Sequence, residues 1–185
     1  MDEGTQWYAQ YLEGDERAFV EIVRKYKDGL IMYINGFVHN LSLAEELTED
    51  VFVKLGVKKP KNKGGSHFKT WIYTIARHTA IDYLRKAART RTVPLDDCAD
   101  VESKPDSLER LYFHRERDVI LHRAMERLKP EYHQVLWLIY FEDFSCRQVA
   151  SVMNKSVHNV ETLVYRARRS LKAELDKEGF IYENL

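Results

Sequence analysis

The sequence predicts an all-α protein: two small helical domains joined by an acidic flexible linker, the second ending in a helix-turn-helix. Three observations carry that prediction. Apolar residues recur three and four apart along most of the 185-residue chain, with no convincing strand pattern. That periodicity fails between Thr92 and Arg110, where Pro94 and Pro105 punctuate six acids against two bases. Finally, Phe144–Leu171 reads as two helices joined by a tight turn. The boundaries expected are therefore 1–91, 92–110 and 111–185.

The helix-turn-helix is the most specific stretch. Ser145 with Gln148 three residues on forms a capping box, satisfying two otherwise orphaned backbone N–H groups. Val149, Ala150, Val152 and Met153 make the buried stripe, and Ala150 is small where two helices must cross closely. Asn154 stands where the chain reverses, and Asn tolerates the left-handed conformation such turns need. Ser156 can cap the second helix, whose inward positions are Val157, Val160, Val164, Ala167 and Leu171. Its outward face carries His158, Asn159, Glu161, Thr162, Tyr165, Arg166, Arg168, Arg169 and Lys172. Hydrogen-bonding side chains come early and cations late, the order expected of a helix lying in the DNA major groove beside phosphates.

Composition bounds the rest. The formal net charge is zero, but the charges are strongly segregated along the chain. Two cysteines, Cys98 and Cys146, have neither disulfide-framework nor zinc-ligand spacing, and no metal or cofactor is expected. The longest apolar run, Val135–Phe141, is too short for a bilayer, and no signal-peptide pattern opens the chain. A soluble protein in a reducing cytoplasm is expected, and no nucleophile–base pair or phosphate-binding glycine loop points to an enzyme.

Taken in order, a first segment holds Trp7, Tyr8 and Leu12, and Gly14-Asp15 breaks it and caps the next helix. Phe19, Ile22, Val23, Tyr26, Leu30, Ile34 and Val38 then keep a helical period to about His39. Ser42 with Glu45 suggests a second capping box, followed by the stripe Leu43, Leu47, Val51 and Leu55. Off that stripe Glu45, Glu46, Glu49 and Asp50 gather, either as a solvated face near a helix N-terminus or as a dock for a basic partner.

Gly56 should end that helix, and a loop rich in Gly, Lys and Pro follows. From Phe68 a helix resumes with Trp71, Ile72, Ile75, Ala76, Thr79 and Tyr83 inward. Between Gly56 and Arg91 ten cations face one acid, Asp82. The cations include Lys58, Lys59, Lys61, Lys63, Lys69, Arg77 and Arg85. Such a loop and helix suit melted nucleic acid, with cations tracking the backbone while bases leave the stack. Trp71 belongs to the core stripe, whereas Tyr73 and His78 lie off it and are the better candidates for contact. The acidic linker is either a disordered tether or a mimic of nucleic acid. Beyond it a helix from about Leu111 to Leu128 and another opened by Pro130 lead to Val135, Leu136, Leu138, Ile139 and Phe141 as core.

Three stretches in register resemble the extracytoplasmic-function sigma factors of bacterial RNA polymerase. They are AEELTEDVFVKL (44–55), FKTWIYTIARHTAIDYLRK (68–86) and LKPEYHQVLWLIYFEDFSCRQVASVMNKSVHNVETLVYRARRSL (128–171). The resemblance implies an initiation factor that directs core polymerase to promoters. It implies docking on the coiled coil of the largest polymerase subunit through Glu45, Glu46, Glu49 and Asp50. It implies opening of the −10 region, with capture of a non-template base, by the basic loop and helix. The −35 duplex would be read by the second helix of the helix-turn-helix, with Glu161, Thr162, Tyr165 and Arg166 near bases and Arg168 and Arg169 on phosphates. An anti-sigma factor is implied as a partner, and the linker would run towards the RNA path. The chain departs from the family at four positions: His78 replaces a usual Asn, Glu161 and Leu163 stand where Lys or Arg is frequent, and Asn154 replaces a usual Gly. Two other readings stay open: an autonomous helix-turn-helix regulator, and an adaptor whose helices bind only protein.

Overall fold

A computed structural model of the chain describes residues 2–62, 67–90 and 116–179. The linker at 92–110, the helix start expected near Leu111, and Lys63 lie outside the described residues. The first domain contains α1 (Glu3–Leu12), α2 (Glu16–Val38), α3 (Leu41–Lys58) and α4 (Phe68–Thr90). The second contains α5 (Glu116–Glu126), α6 (Pro130–Leu136), α7 (Cys146–Met153) and α8 (Val157–Lys177). Residues Trp137–Phe141 continue α6 as a single π-helical turn.

Local chemistry sets most boundaries. Gly14 adopts φ +109°, and Asp15 then caps α2 by accepting from Arg17 N at 2.9 Å. His39 closes α2 in the left-handed conformation, φ 49°. Two boundaries differ from the sequence expectation. Asn40, not Ser42, caps α3, its Oδ1 accepting from Leu43 N at 3.0 Å. The left-handed turn at His39 brings Asn40 into position one residue before the helix, and Asn serves as well there as Ser. Gly56 does not end α3; the helix runs two residues further and stops at Lys59, φ 43°.

In the first domain α2 packs along α3 and α4, and α1 lies across α2 and α4. The expected stripes hold in part: Ile22, Tyr26, Leu30 and Ile34 of α2 and Leu47, Val51 and Leu55 of α3 are buried. What the period did not foresee is that Leu30–Phe37 is buried all round. A helix apolar on every side needs cover on every side. The cover is the second domain: α6 and its π-helical turn lie on α2, and α7 lies on α4.

That seam is close. A Cβ at Gly36 would lie 1.9 Å from His133 Nδ1, and one at Gly29 would lie 2.5 Å from both Glu142 Oε1 and Tyr73 Oη. Glycine inside a helix costs about 0.5–1 kcal/mol relative to alanine, so both sites give up helix stability for approach. Tyr33 meets Tyr73 edge-on at 5.2 Å, and Tyr73 meets Phe144 at 5.4 Å, threading both domains into one aromatic row. Lys69 Nζ pairs with Glu142 Oε2 at 3.0 Å, donates to the Glu142 carbonyl at 2.6 Å and lies 5.2 Å from the Phe144 ring. Asn35 Nδ2 donates to Glu126 Oε1 at 3.2 Å, and Arg77 Nε donates to Gln134 Oε1 at 3.3 Å. His133 stacks on Trp137, and Trp137 on Phe141, with centroids 6.0 and 4.4 Å apart.

On helix propensity alone, Gly36→Ala should stabilise the chain by about 1 kcal/mol. The contact with His133 reverses the sign: overpacking should cost about 1–3 kcal/mol of stability, read as a lowered thermal midpoint. A raised midpoint would mean that the ring does not press on α2. Burial also depresses two imidazole pKa values below the ordinary 6.5, His133 to about 3 and His122 to about 4. The packed protein then binds fewer protons than the unpacked one, so this contribution is complete above 6.5 and lost as pH falls towards 4. Stability should drop between pH 6.5 and 5 by up to about 1.4 kcal/mol per pH unit from His133, and His133→Gln should flatten that slope in thermal melts.

Candidate nucleic-acid interface

The helix-turn-helix is built as its sequence dictates. Ser145 N donates to Gln148 Oε1 at 2.9 Å while Gln148 N donates back to Ser145 Oγ at 3.3 Å, completing the capping box. Asn154 takes the left-handed conformation, φ 53°, and Lys155 N then reaches the Ala150 carbonyl at 3.0 Å. Ser156 Oγ accepts from Asn159 N at 3.2 Å and starts α8. Val149, Ala150, Val152 and Met153 of α7 are buried, as are Val160, Val164 and Ala167 of α8. Leu171 is half-buried, while Val157, expected inward, is exposed because it sits in the first turn, ahead of the contact with α7.

The opposite face of α8 is open. His158, Asn159, Glu161, Tyr165, Arg166, Arg168, Arg169 and Lys172 are exposed and Thr162 is half-buried. Tyr165 is 64% exposed, a large ring kept in water without a packing reason among the described residues. The side chains of His158, Glu161, Tyr165, Arg166 and Arg169 hold no hydrogen bond or ion pair among the described residues. Arg168 lies over the Tyr140 ring at 5.3 Å, which orients one cation from the preceding π-helical turn. Tyr140 was not among the residues singled out from sequence; no periodicity links it to α8.

The basic loop and α4 divide into two groups. Lys58, Lys59 and Lys61 at the loop, and His78 and Arg85 along α4, are exposed. Arg85 makes only a loose contact with Asp82, 3.9 Å within one helical turn, worth little in water. Lys69, Tyr73 and Arg77 instead lie on the seam with the second domain. Tyr73 corrects the sequence expectation: it is fully buried, not off the core, because α7 covers the very face of α4 that a one-domain period leaves to solvent. Its hydroxyl sits beside the Glu142 carboxylate, and burial together with that charge holds its pKa well above 10. Trp71 is half-buried, edge-on to Tyr8 at 5.3 Å, and Tyr83, expected inward, is 37% exposed. Phe141, expected in the core, is likewise 37% exposed, stacked on Trp137 at the rim of the seam.

The acidic cluster is where sequence placed it. Glu46, Glu49 and Asp50 are exposed on α3 and Glu45 is half-buried, and none forms an ion pair among the described residues. Val53 and Val57, 58% and 78% exposed, extend the same side of α3, so carboxylates and bare apolar surface lie together. Among the described residues no helix is long and apolar enough to cross a membrane.

Comparison with known proteins assigns both halves. The profile described as Sigma-70 region 2 matches residues 22–90, and that described as Sigma-70, region 4 matches residues 118–171. The chain belongs to the sigma-70 family of RNA polymerase initiation factors, in its extracytoplasmic-function group. Among its relatives, RNA polymerase sigma factor YlaC of Bacillus subtilis is 27% identical over 158 residues, 85% of this chain and 91% of that one. RNA polymerase sigma-H factor of Pseudomonas aeruginosa is 28% identical over 185 residues, 95% of each. Two solved structures share the fold at 22% identity. CnrH, in complex with the cytosolic domain of CnrY, gives a TM-score of 0.67 over 95% of this chain and 99% of that one. Sigma factor RpoE of Bartonella quintana, with the anti-sigma factor NepR, gives 0.64 over 85% and 96%.

Proposed function

We infer that this sigma factor directs core RNA polymerase to specific promoters through three separate surfaces. α3 docks on the coiled coil of the largest polymerase subunit through Glu45, Glu46, Glu49 and Asp50. α8 enters the −35 major groove, with Glu161, Thr162, Tyr165 and Arg166 towards base edges and Arg168 and Arg169 on phosphates. The basic loop and α4 receive the melted −10 region. The observation that carries the reading is the outward face of α8, where the exposed side chains of His158, Glu161, Tyr165, Arg166 and Arg169 hold no hydrogen bond or ion pair among the described residues. Glu161 is an acceptor suited to cytosine N4. We read the chain as a binding protein acting in the cytoplasm rather than as a catalyst, and as the target of an anti-sigma factor, as RpoE is of NepR.

Electrostatics supports the division of labour. With zero net charge the free chain has little long-range attraction for DNA, and the screening length in cells is about 8 Å. Local patches therefore act only at contact, once polymerase has brought them to the promoter. Unstacking at −10 costs a few kcal/mol, which base capture and phosphate contacts must offset. In the closed arrangement Tyr73 is buried and Lys69 and Arg77 are tied to Glu142 and Gln134 of the second domain, so their share of that work requires the second domain to leave α4.

Three measurements test this. Arg166→Ala should weaken −35 binding by the holoenzyme by about 1–3 kcal/mol and relax base preference there; unchanged −35 protection would remove α8 as the reader. Glu49→Lys with Asp50→Lys should lower affinity for core polymerase at least tenfold without changing the melting temperature by more than a degree or two. Equal capture of core by wild type and double variant would remove α3 as the dock. A sequence-specific gel shift at nanomolar concentration by the chain alone would favour an autonomous regulator instead.

A further inference from the structure

The helix α1 precedes the matched stretch, which begins at residue 22, and neither promoter-reading surface uses it. Its contacts nevertheless converge on both ends of the basic loop. At the start of the loop, Tyr11 Oη donates to the Gly56 carbonyl at 2.8 Å and Tyr8 Oη donates to the Pro60 carbonyl at 2.8 Å. The Tyr11 ring also lies beneath Lys59, whose Nζ is 4.6 Å from the centroid. At the end of the loop, Asp2 Oδ2 accepts from Phe68 N at 3.0 Å and meets His67 Nδ1 at 3.1 Å. The other oxygen of Asp2 accepts from Thr5 N at 2.7 Å and from Thr5 Oγ1 at 2.6 Å.

One carboxylate thus caps two helices, α1 itself and the first turn of α4, 66 residues away along the chain. Although partial burial opposes it, these hydrogen bonds and His67 hold the Asp2 pKa below its ordinary value, so the cap is ionised at neutral pH. Between the two anchor points the Tyr8 ring packs on Phe68 and Trp71, at 5.4 and 5.3 Å. Each of the three side chains reaches a backbone group or a cation of the loop stems.

We propose that α1 is a positioning clamp for promoter melting, with Asp2, Tyr8 and Tyr11 as positioning residues. The inference rests on the assignment of the loop and α4 to the −10 region. Fixing a residue's backbone costs conformational entropy, which adds to the unstacking cost that melting must meet. Stems ordered in advance by α1 take that cost out of the opening step, because Lys58, Lys59, Lys61 and the start of α4 already hold their spacing when DNA arrives. Docking through α3 and reading through α8 do not draw on this order. The defect of a loosened clamp should therefore appear in opening alone.

The experiment uses the full chain with core polymerase on a promoter fragment recovered by run-off selection from genomic DNA with the wild-type protein. Permanganate reactivity of −10 thymines reports opening, on the duplex and on the same fragment carrying a pre-melted bubble. Tyr8→Phe with Tyr11→Phe removes two hydrogen bonds and keeps both rings, and Asp2→Asn weakens the shared cap without removing its shape. For each variant we expect duplex opening to fall about tenfold, with bubble occupancy, core affinity and −35 protection at the wild-type level. Duplex opening within twofold of wild type, or an equal loss on the bubble, would overturn the clamp. Lys58→Ala, Lys59→Ala and Lys61→Ala together separate the two levels. If they abolish opening while the tyrosine variants do not, only the clamp fails. If they leave opening unchanged, the −10 assignment fails and the clamp with it.

Discussion

The packing of one helix on two sides organises this molecule. Along Leu30–Phe37, α2 has no solvent-facing side: one side belongs to the core with α3 and α4, the other to α6 and the π-helical turn after it. A buried leucine, isoleucine or phenylalanine contributes about 1.5–3 kcal/mol relative to exposure, so leaving the second side bare would cost several such residues at once. Gly36 and Gly29 fit the same constraint, because only a missing Cβ lets the His133 ring and the Glu142 carboxylate approach the helix. The placement of the second domain, the burial of Tyr73 and the capture of Lys69 all follow from that shared helix.

The seam is polar enough to be separable. Tyr33 Oη, Asn35 Oδ1 and His133 Nδ1 are buried without a protein hydrogen-bond partner among the described residues. A buried polar group left in that state costs about 1–3 kcal/mol, which offsets part of the apolar gain across the same surface. The Lys69 side chain of the Lys69–Glu142 pair is 32% exposed, so the pair contributes direction more than energy. A domain interface with this balance holds the free chain together and still yields to a larger binding energy. That balance suits the proposal that polymerase sets the separation of two DNA-reading surfaces.

Charge sorting gives the second layer of organisation. Carboxylates on α3 stand beside bare valines, whereas cations line the loop, α4 and the late turns of α8. Because screening limits each patch to contact range, zero net charge and strong local binding are compatible. The helix α1 adds no cation to that surface, but its Tyr8, Tyr11 and Asp2 side chains hydrogen-bond backbone at both ends of the basic loop.

Much of this was legible in the residues. The capping box at Ser145 and Gln148, the left-handed Asn154, the Ser156 cap and the small Ala150 determine the helix-turn-helix locally, since each acts within a few residues of itself. The stripes of α2 and α3 and the segregation of acids and bases were legible for the same reason. Where local signals competed, the choice depended on geometry beyond the window: Asn40 took the cap that Ser42 could have served, and α3 ran past Gly56 to Lys59. The apolar run in α2 was itself a signal that a second face would be covered, but not by what. Only tertiary structure decided that α7 would cover Tyr73, that His133 would need a glycine 97 positions earlier in the chain, and that Asp2 would cap a helix beginning at Phe68. Helical periodicity reports which side of a helix is apolar; contacts between residues tens of positions apart have no period, and only the folded chain brings them together.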